Sequence, residues 1–115
     1  MTLEQFRRIA LSLPEAVEVG HMGHPDFRVG GKIFATLGYP NDEWGVLKLT
    51  SDQQARLYEA EPEVFVPVKV MWGRRGATTV HLKTVKAEAL RDALLAAWRN
   101  TAPKRLVRAP NQRTK

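Results

Sequence analysis

The apolar residues at the start of the chain recur at helical intervals. Thr2 and Gln5 have the spacing of a capping box, in which side chains satisfy free backbone N–H groups at a helix start. The apolar stripe that follows consists of Leu3, Phe6, Ile9, Ala10 and Leu13. Pro14 disfavours helical backbone in the residue before it, so the first predicted helix ends there.

Short apolar and β-branched runs between turn residues predict the first strands. They are residues 17–22, 27–29, 33–37 and 44–49. The pair Gly30-Gly31 predicts a hairpin, because glycine readily adopts the positive φ of a tight turn. A two-residue loop would pair Phe27 with Phe34, and a three-residue loop would pair Phe27 with Ala35. The second register is favoured, since it places more apolar groups on one face.

The second half of the chain predicts a helix, a hairpin and a last helix. Ser51 is the expected cap of the first of these, with Gln54 at the capping-box position and Pro62 as its stop. Residues 68–72 and 78–82 alternate as a hairpin in which Val70 aligns with Val80. The last long helix covers residues 86–99, and a short basic helical turn is predicted at 103–107.

This order of elements predicts an α+β fold. Short hairpins imply one antiparallel sheet, and helices packed on one face of it form a two-layer sandwich of order α-β(3-4)-α-β(2)-α. A parallel, doubly wound sheet is disfavoured because helices and strands do not alternate along the chain.

Composition indicates one soluble globular domain with a basic end. The chain has 115 residues, which is an ordinary length for one domain, and it contains no Cys. Its net charge of +6 lies entirely in residues 99–115, because Lys/Arg and Asp/Glu balance over residues 1–98. No apolar run approaches a membrane span, and no signal peptide is evident. We therefore expect a cytoplasmic protein with no membrane partner, a single domain over residues 1–108 and a basic tail over 109–115.

Three stretches of the chain resemble the MmcQ/YjbR family. They are LPEAVEVGHMGHPDFRVGGKIFATL from residue 13, SDQQARLYEAEPEVFVPVKVMWGRRGATTVHL from residue 51 and RDALLAAWRNTAPKRL from residue 91. The resemblance implies a small α+β domain that is similar in architecture to type III secretion chaperones and frataxin-like proteins. It also implies DNA binding, which is the role commonly expected of this family.

Two groups of basic residues are candidates for nucleic-acid contact. Arg74 and Arg75 lie between Gly73 and Gly76 at the tip of the predicted second hairpin, where a loop can follow a phosphate backbone like a wing. The second group follows the last helix and consists of Lys104, Arg105 and Arg108. The leading hypothesis is therefore weak, sequence-independent binding of nucleic acid through its phosphates, with DNA as the candidate partner. The alternative for the arginines is an ordinary exposed turn.

A small-molecule pocket and a protein-interaction surface remain alternative functions. The pocket candidates are His21, His24, Arg28 and Trp44. Trp44 is out of phase with the apolar residues of its strand, so it is expected to be partly exposed. A chaperone-like module would instead use a face of the sheet, by analogy of fold.

Catalytic and metal signatures are weak in this sequence. The only serines are Ser12 and Ser51, and neither lies in a G-x-S-x-G elbow. His21, His24 and Asp26 have the spacing of an H-x-x-H-x-D cluster, but this spacing without a second pair of ligands is a poor indicator of a metal site. We expect a non-enzymatic protein with no catalytic residues, no cofactor and no metal.

Overall fold

A computed structural model of the protein describes residues 1–20, 24–69 and 71–107. The helices are α1 (Leu3–Leu11), α2 (Ser51–Ala60), α3 (Met71–Arg74) and α4 (Ala87–Thr101), and a final helical turn covers residues 104–107. The strands are β1 (Val17–Val19), β2 (Asp26–Val29), β3 (Lys32–Leu37), β4 (Trp44–Lys48), β5 (Phe65–Pro67) and β6 (Ala77–His81).

The strands form one antiparallel sheet of order β1-β2-β3-β4-β6-β5. Helices α1 and α4 pack on one face of it, and the core between them includes Phe6, Phe34, Leu47, Leu94 and Trp98, all at most 1% exposed. The predicted α+β two-layer sandwich is therefore confirmed. No helix in the described part of the chain is long and apolar enough to cross a membrane.

The first hairpin combines both predicted registers. Gly30 and Gly31 have φ values of 59° and 80°, so they form a two-residue turn that pairs Val29 with Lys32. A β-bulge then shifts the pairing, so that Phe27 faces Ala35 as the longer loop would require. The extra residue, Phe34, is fully buried together with Ala35.

The predicted second hairpin is wrong. Strand β6 pairs with β5, and Phe65, not Val70, lies opposite Val80. Phe65 and Val80 are both fully buried, so this register fills the core. Pro67 is tolerated because β5 is an edge strand, where a missing N–H group breaks no ladder. The chain then turns through α3 back to β6, and Val70 and the side chain of Trp72 lie outside the described residues.

The helix caps confirm the first prediction and correct the second. Thr2 and Gln5 form the predicted capping box of α1. Helix α2 is capped one residue earlier than predicted, by Thr50 with Gln53. The sequence Thr-Ser-Asp-Gln-Gln satisfies the capping-box spacing in two registers, and the unused pair, Ser51 and Gln54, binds a neighbouring turn instead.

Candidate functional site

The turn that presents Arg74 and Arg75 is fixed to the start of α2. Gln54 Nε2 donates hydrogen bonds to the carbonyl oxygens of Gly73, at 2.9 Å, and Ala77, at 3.0 Å. Ser51 Oγ donates to the Arg74 carbonyl at 3.3 Å. Both arginine residues are exposed. The turn that carries them is anchored to α2 by these hydrogen bonds to its backbone carbonyl groups. The exposure is as predicted, but the arginines lie at the end of α3 and in the turn before β6, not at a hairpin tip.

The glycines on either side of the two arginines are packed against backbone. A Cβ atom added to Gly73 would lie 1.8 Å from the Val68 carbonyl oxygen. A Cβ atom added to Gly76, whose φ is +107°, would lie 1.9 Å from the Leu49 carbonyl oxygen. The G-x-x-G spacing is therefore explained by close approach of two backbones, without any reference to a ligand.

Hydrogen bonds bring both predicted groups of cations to the same end of the sheet. Lys48, the last residue of β4, pairs with Ala77, which follows the two arginines closely in the chain. The Lys48 carbonyl accepts a hydrogen bond of 3.1 Å from Asn100 Nδ2, in the last turn of α4. Pro103 contacts the β2–β3 turn, because its ring lies 3.0 Å from where a Cβ of Gly30 would be. We call this region the basic end; its exposed cations include Lys32, Lys48, Arg74, Arg75, Lys104 and Arg105.

Within the described residues, Arg105 has an ion-pair partner and the other five cations named above have none. Its two Nη atoms donate to the two carboxylate oxygens of Glu15, both at 3.1 Å. This hydrogen bond lowers the pKa of Glu15 and raises that of Arg105. The pair therefore contributes stability above the ordinary pKa of a glutamate, and it loses that contribution as the pH falls through the lowered value. Arg108, the last predicted contact, lies outside the described residues.

A cleft of about 500 Å³ opens between the first hairpin and the end of α4. Its wall contains three cationic side chains, those of Arg28, Lys32 and Lys48, beside Asn100 and Thr101. Arg28 Nη2 lies 3.5 Å from Asp26 Oδ2, and Thr36 Oγ1 donates to Asp26 Oδ1 at 3.1 Å. One of the three positive charges is thus balanced within the protein.

The face of the sheet opposite α1 and α4, here called the outer face, holds an apolar trough. Two cavities of about 300 and 370 Å³ share Tyr39 and Val68 as lining residues. The outward side chains of β4 run along it in the order Trp44, Val46, Lys48. Lys48 also lines the cleft at the basic end, so the trough and the cleft adjoin.

The three predicted pocket residues that the structure describes, His24, Arg28 and Trp44, do not line one common pocket. Trp44 is partly exposed, as predicted, and stacks on His81 with ring centroids 4.4 Å apart. His24 lines the middle of the trough and Arg28 lines the cleft. His21 lies outside the described residues. The sequence analysis did not single out Tyr39, Val46 and Lys48 as site residues. The available signals were the alternation of Val46 and Lys48 with buried residues along β4 and the position of Tyr39 in the loop before it.

Among the described residues, no group of three His, Cys, Asp or Glu side chains is arranged to hold a metal ion. Ser12 Oγ donates to the carbonyl of Ile9 at 2.6 Å, and Ser51 Oγ donates to that of Arg74. Both serine hydroxyls therefore make local backbone contacts. The described residues thus offer two binding surfaces, which are the cationic cleft at the basic end and the apolar trough on the outer face.

Comparisons with known proteins agree with the fold. A family model described as YjbR matches residues 11–100. The crystal structure of Deinococcus radiodurans protein DR2400, with the family-model domain DUF419, has a TM-score of 0.70 with 24% sequence identity, and the match covers 84% of this chain and 75% of that one. No curated protein matches the chain. At this identity the structural likeness supports the architecture alone.

Proposed function

This chain belongs to the YjbR family, and from that premise we propose that it is a non-enzymatic cytoplasmic protein that binds nucleic acid weakly through its basic end. One observation supports the proposal most directly. Cations from the first hairpin, the end of β4, the turn before β6 and the segment after α4 gather at one end of the sheet. A cluster assembled from four separate segments offers a polyanion several contacts at once.

The chemistry of these cations favours phosphate contact over recognition of bases. Lys32, Lys48, Arg74, Arg75 and Lys104 are exposed, and none has an ion-pair partner among residues 1–20, 24–69 and 71–107. Binding of this kind releases counterions from the nucleic acid and depends little on sequence. The site therefore suits duplex DNA of any sequence.

The salt dependence of binding tests this proposal. Each phosphate contact contributes about −0.9 to the slope of log K against log salt, so we expect these five described cations to contribute about −3 to −4.5. The double variant Arg74→Ala, Arg75→Ala should flatten it by about 1.8. The measurement is fluorescence anisotropy of a labelled duplex at several salt concentrations.

A matched control removes two exposed cations at the other end of the molecule. Lys86→Ala with Arg91→Ala changes the net charge equally, at the beginning of α4. Its slope should equal that of the wild type. Absence of wild-type binding at low salt, or equal flattening by both double variants, would show that the basic end is not a nucleic-acid site.

Removal of Glu15 is expected to strengthen nucleic-acid binding. The Glu15 carboxylate neutralises Arg105, so Glu15→Gln releases one further cation next to Lys104. The slope should become steeper by up to about 0.9. The same titration measures it, with Glu88→Gln at the beginning of α4 as the control of equal charge. If Glu15→Gln and Glu88→Gln steepen the slope equally, the gain reflects net charge alone and Arg105 makes no phosphate contact.

A further inference from the structure

We propose that the trough on the outer face binds a small amphipathic anion, with an apolar body along β4 and a single carboxylate at Lys48. This site differs from the proposed nucleic-acid site in its ligand and in its lining residues, although Lys48 belongs to both. Its occupant follows from the order of side chains along one strand, from the shape of the surface and from one buried donor.

The order of side chains on β4 gives the trough a polarity. Trp44, Val46 and Lys48 point to the same face because successive side chains of a strand alternate. The four residue steps from Trp44 to Lys48 span about 13 Å at about 3.3 Å each, so the face changes from aromatic to aliphatic to cationic over that distance. A ligand that matches these three positions on the floor is apolar beside Trp44 and Val46 and anionic at Lys48, while Lys69 adds a second cation at the wall of the Trp44 cavity.

The shape of the trough is that of a small-molecule site. Tyr39, from the loop before β4, and Val68, which follows β5, both border the two cavities, so they form walls around the floor made by Val46. Val68 is only 5% exposed, which shows that this wall is packed against the domain. Concave, mostly apolar surfaces with a few polar groups are typical of ligand pockets.

The cationic end contains a donor that the protein leaves unused. Arg28 Nε is buried and has no hydrogen-bond partner within the described part of the chain. Buried donors are nearly always paired, and Arg28 lines the adjoining cleft, so a turn of its guanidinium toward the cleft would pair this donor with an acceptor bound there. Arg28, Lys32 and Lys48 line that cleft, and Asp26 offsets one of their charges. Two positive charges remain, so the cleft stays cationic after it has bound one carboxylate.

The test compares decanoate with decylammonium, which has the same chain and the opposite charge. Decanoate, below the concentration at which it forms micelles, should bind with 1:1 stoichiometry by isothermal titration calorimetry. Decylammonium should bind at least about tenfold more weakly. Equal binding of the two, or no binding of decanoate, would overturn the proposal and leave the outer face as a candidate surface for a protein partner.

Two variants locate the site. Lys48→Met should weaken decanoate binding by about tenfold, and Lys83→Met, which changes an exposed lysine after β6, should not. Val46→Glu should abolish decanoate binding; if this variant does not fold, Lys48→Met alone decides, since Lys48 is exposed. Unchanged binding by Lys48→Met would contradict the assignment. The Arg74→Ala, Arg75→Ala variant should bind decanoate normally, which separates this outcome from that of the nucleic-acid test.

Discussion

Gly76→Ala is expected to lower the free energy of unfolding by about 3 kcal/mol, from left-handed backbone strain of about 1–2 kcal/mol and overpacking of about 1–3 kcal/mol. The strain arises because φ at this position is +107°. The overpacking arises because the new methyl group would lie 1.9 Å from the Leu49 carbonyl oxygen. A backbone oxygen cannot rotate away as a side chain can. Urea denaturation followed by circular dichroism measures the loss.

Gly20→Ala is the matched control for this prediction. A Cβ atom at Gly20 would meet no atom of the described residues within 4 Å, and its φ lies outside the left-handed region. The same chemical change should alter stability by less than about 0.5 kcal/mol. If Gly76→Ala were as mild as Gly20→Ala, the turn before β6 would not be packed against the end of β4.

Trp98→Ala is expected to cost about 3–5 kcal/mol of stability. Trp98 is 1% exposed and belongs to the core between α4 and the sheet. Its indole Nε1 also donates a hydrogen bond of 3.0 Å to the Pro14 carbonyl oxygen, 84 positions away in the chain. Alanine removes both the ring and this link between the two ends of the domain. Thermal and urea unfolding report the change.

Trp98→Phe separates the two contributions. Phenylalanine keeps an apolar ring but has no N–H group, so the Pro14 carbonyl loses its partner, at a cost of about 1–2 kcal/mol. We expect this variant to fold and to lie between the wild type and Trp98→Ala. Equal losses for Phe and Ala would mean that the hydrogen bond, not the packing, dominates at this position.

Local patterns were sufficient for the first helix and the first hairpin. The capping box at Thr2 and the glycine pair at 30–31 act within a few residues, so their structures follow from short-range chemistry. The bulge at Phe34 does not follow, because the pairing changes to bury both Phe34 and Ala35 in the core. The choice of residues that the helices bury is made only when the whole domain assembles, so the local sequence does not reveal the bulge.

The predicted strand 78–82 agrees with β6, but its hairpin partner was placed at 68–72 instead of β5 because two strand patterns compete between residues 65 and 72. Val68 and Val70 alternate as a strand should, but Phe65 fills the position opposite Val80 in the sheet. Only the packed core discriminates between them. Likewise, Thr50 and Ser51 both satisfy the capping pattern, and the second is drawn to the Arg74 carbonyl by a contact 23 positions distant.

The candidate site also combines features that local sequence predicts with features that depend on the assembled fold. Exposure of Arg74 and Arg75 was predictable from their charge between two glycines. Their location at the same end of the sheet as Lys48 was not predictable, because it depends on pairing between β4 and β6. The position of the segment after α4 likewise depends on the hydrogen bond from Asn100 to the Lys48 carbonyl. The trough was not predicted, because the residues that line it are far apart in the sequence.

The edges of the sheet bear on how the protein behaves when it is concentrated. Strands β1 and β5 are the outermost strands, and each is three residues long. Pro67 further removes one N–H donor from β5. A neighbouring molecule would find few backbone groups to extend the ladder, and short or proline-bearing edges are a common defence against fibril growth. The short edge strands therefore disfavour polymerisation through the open sides of the sheet.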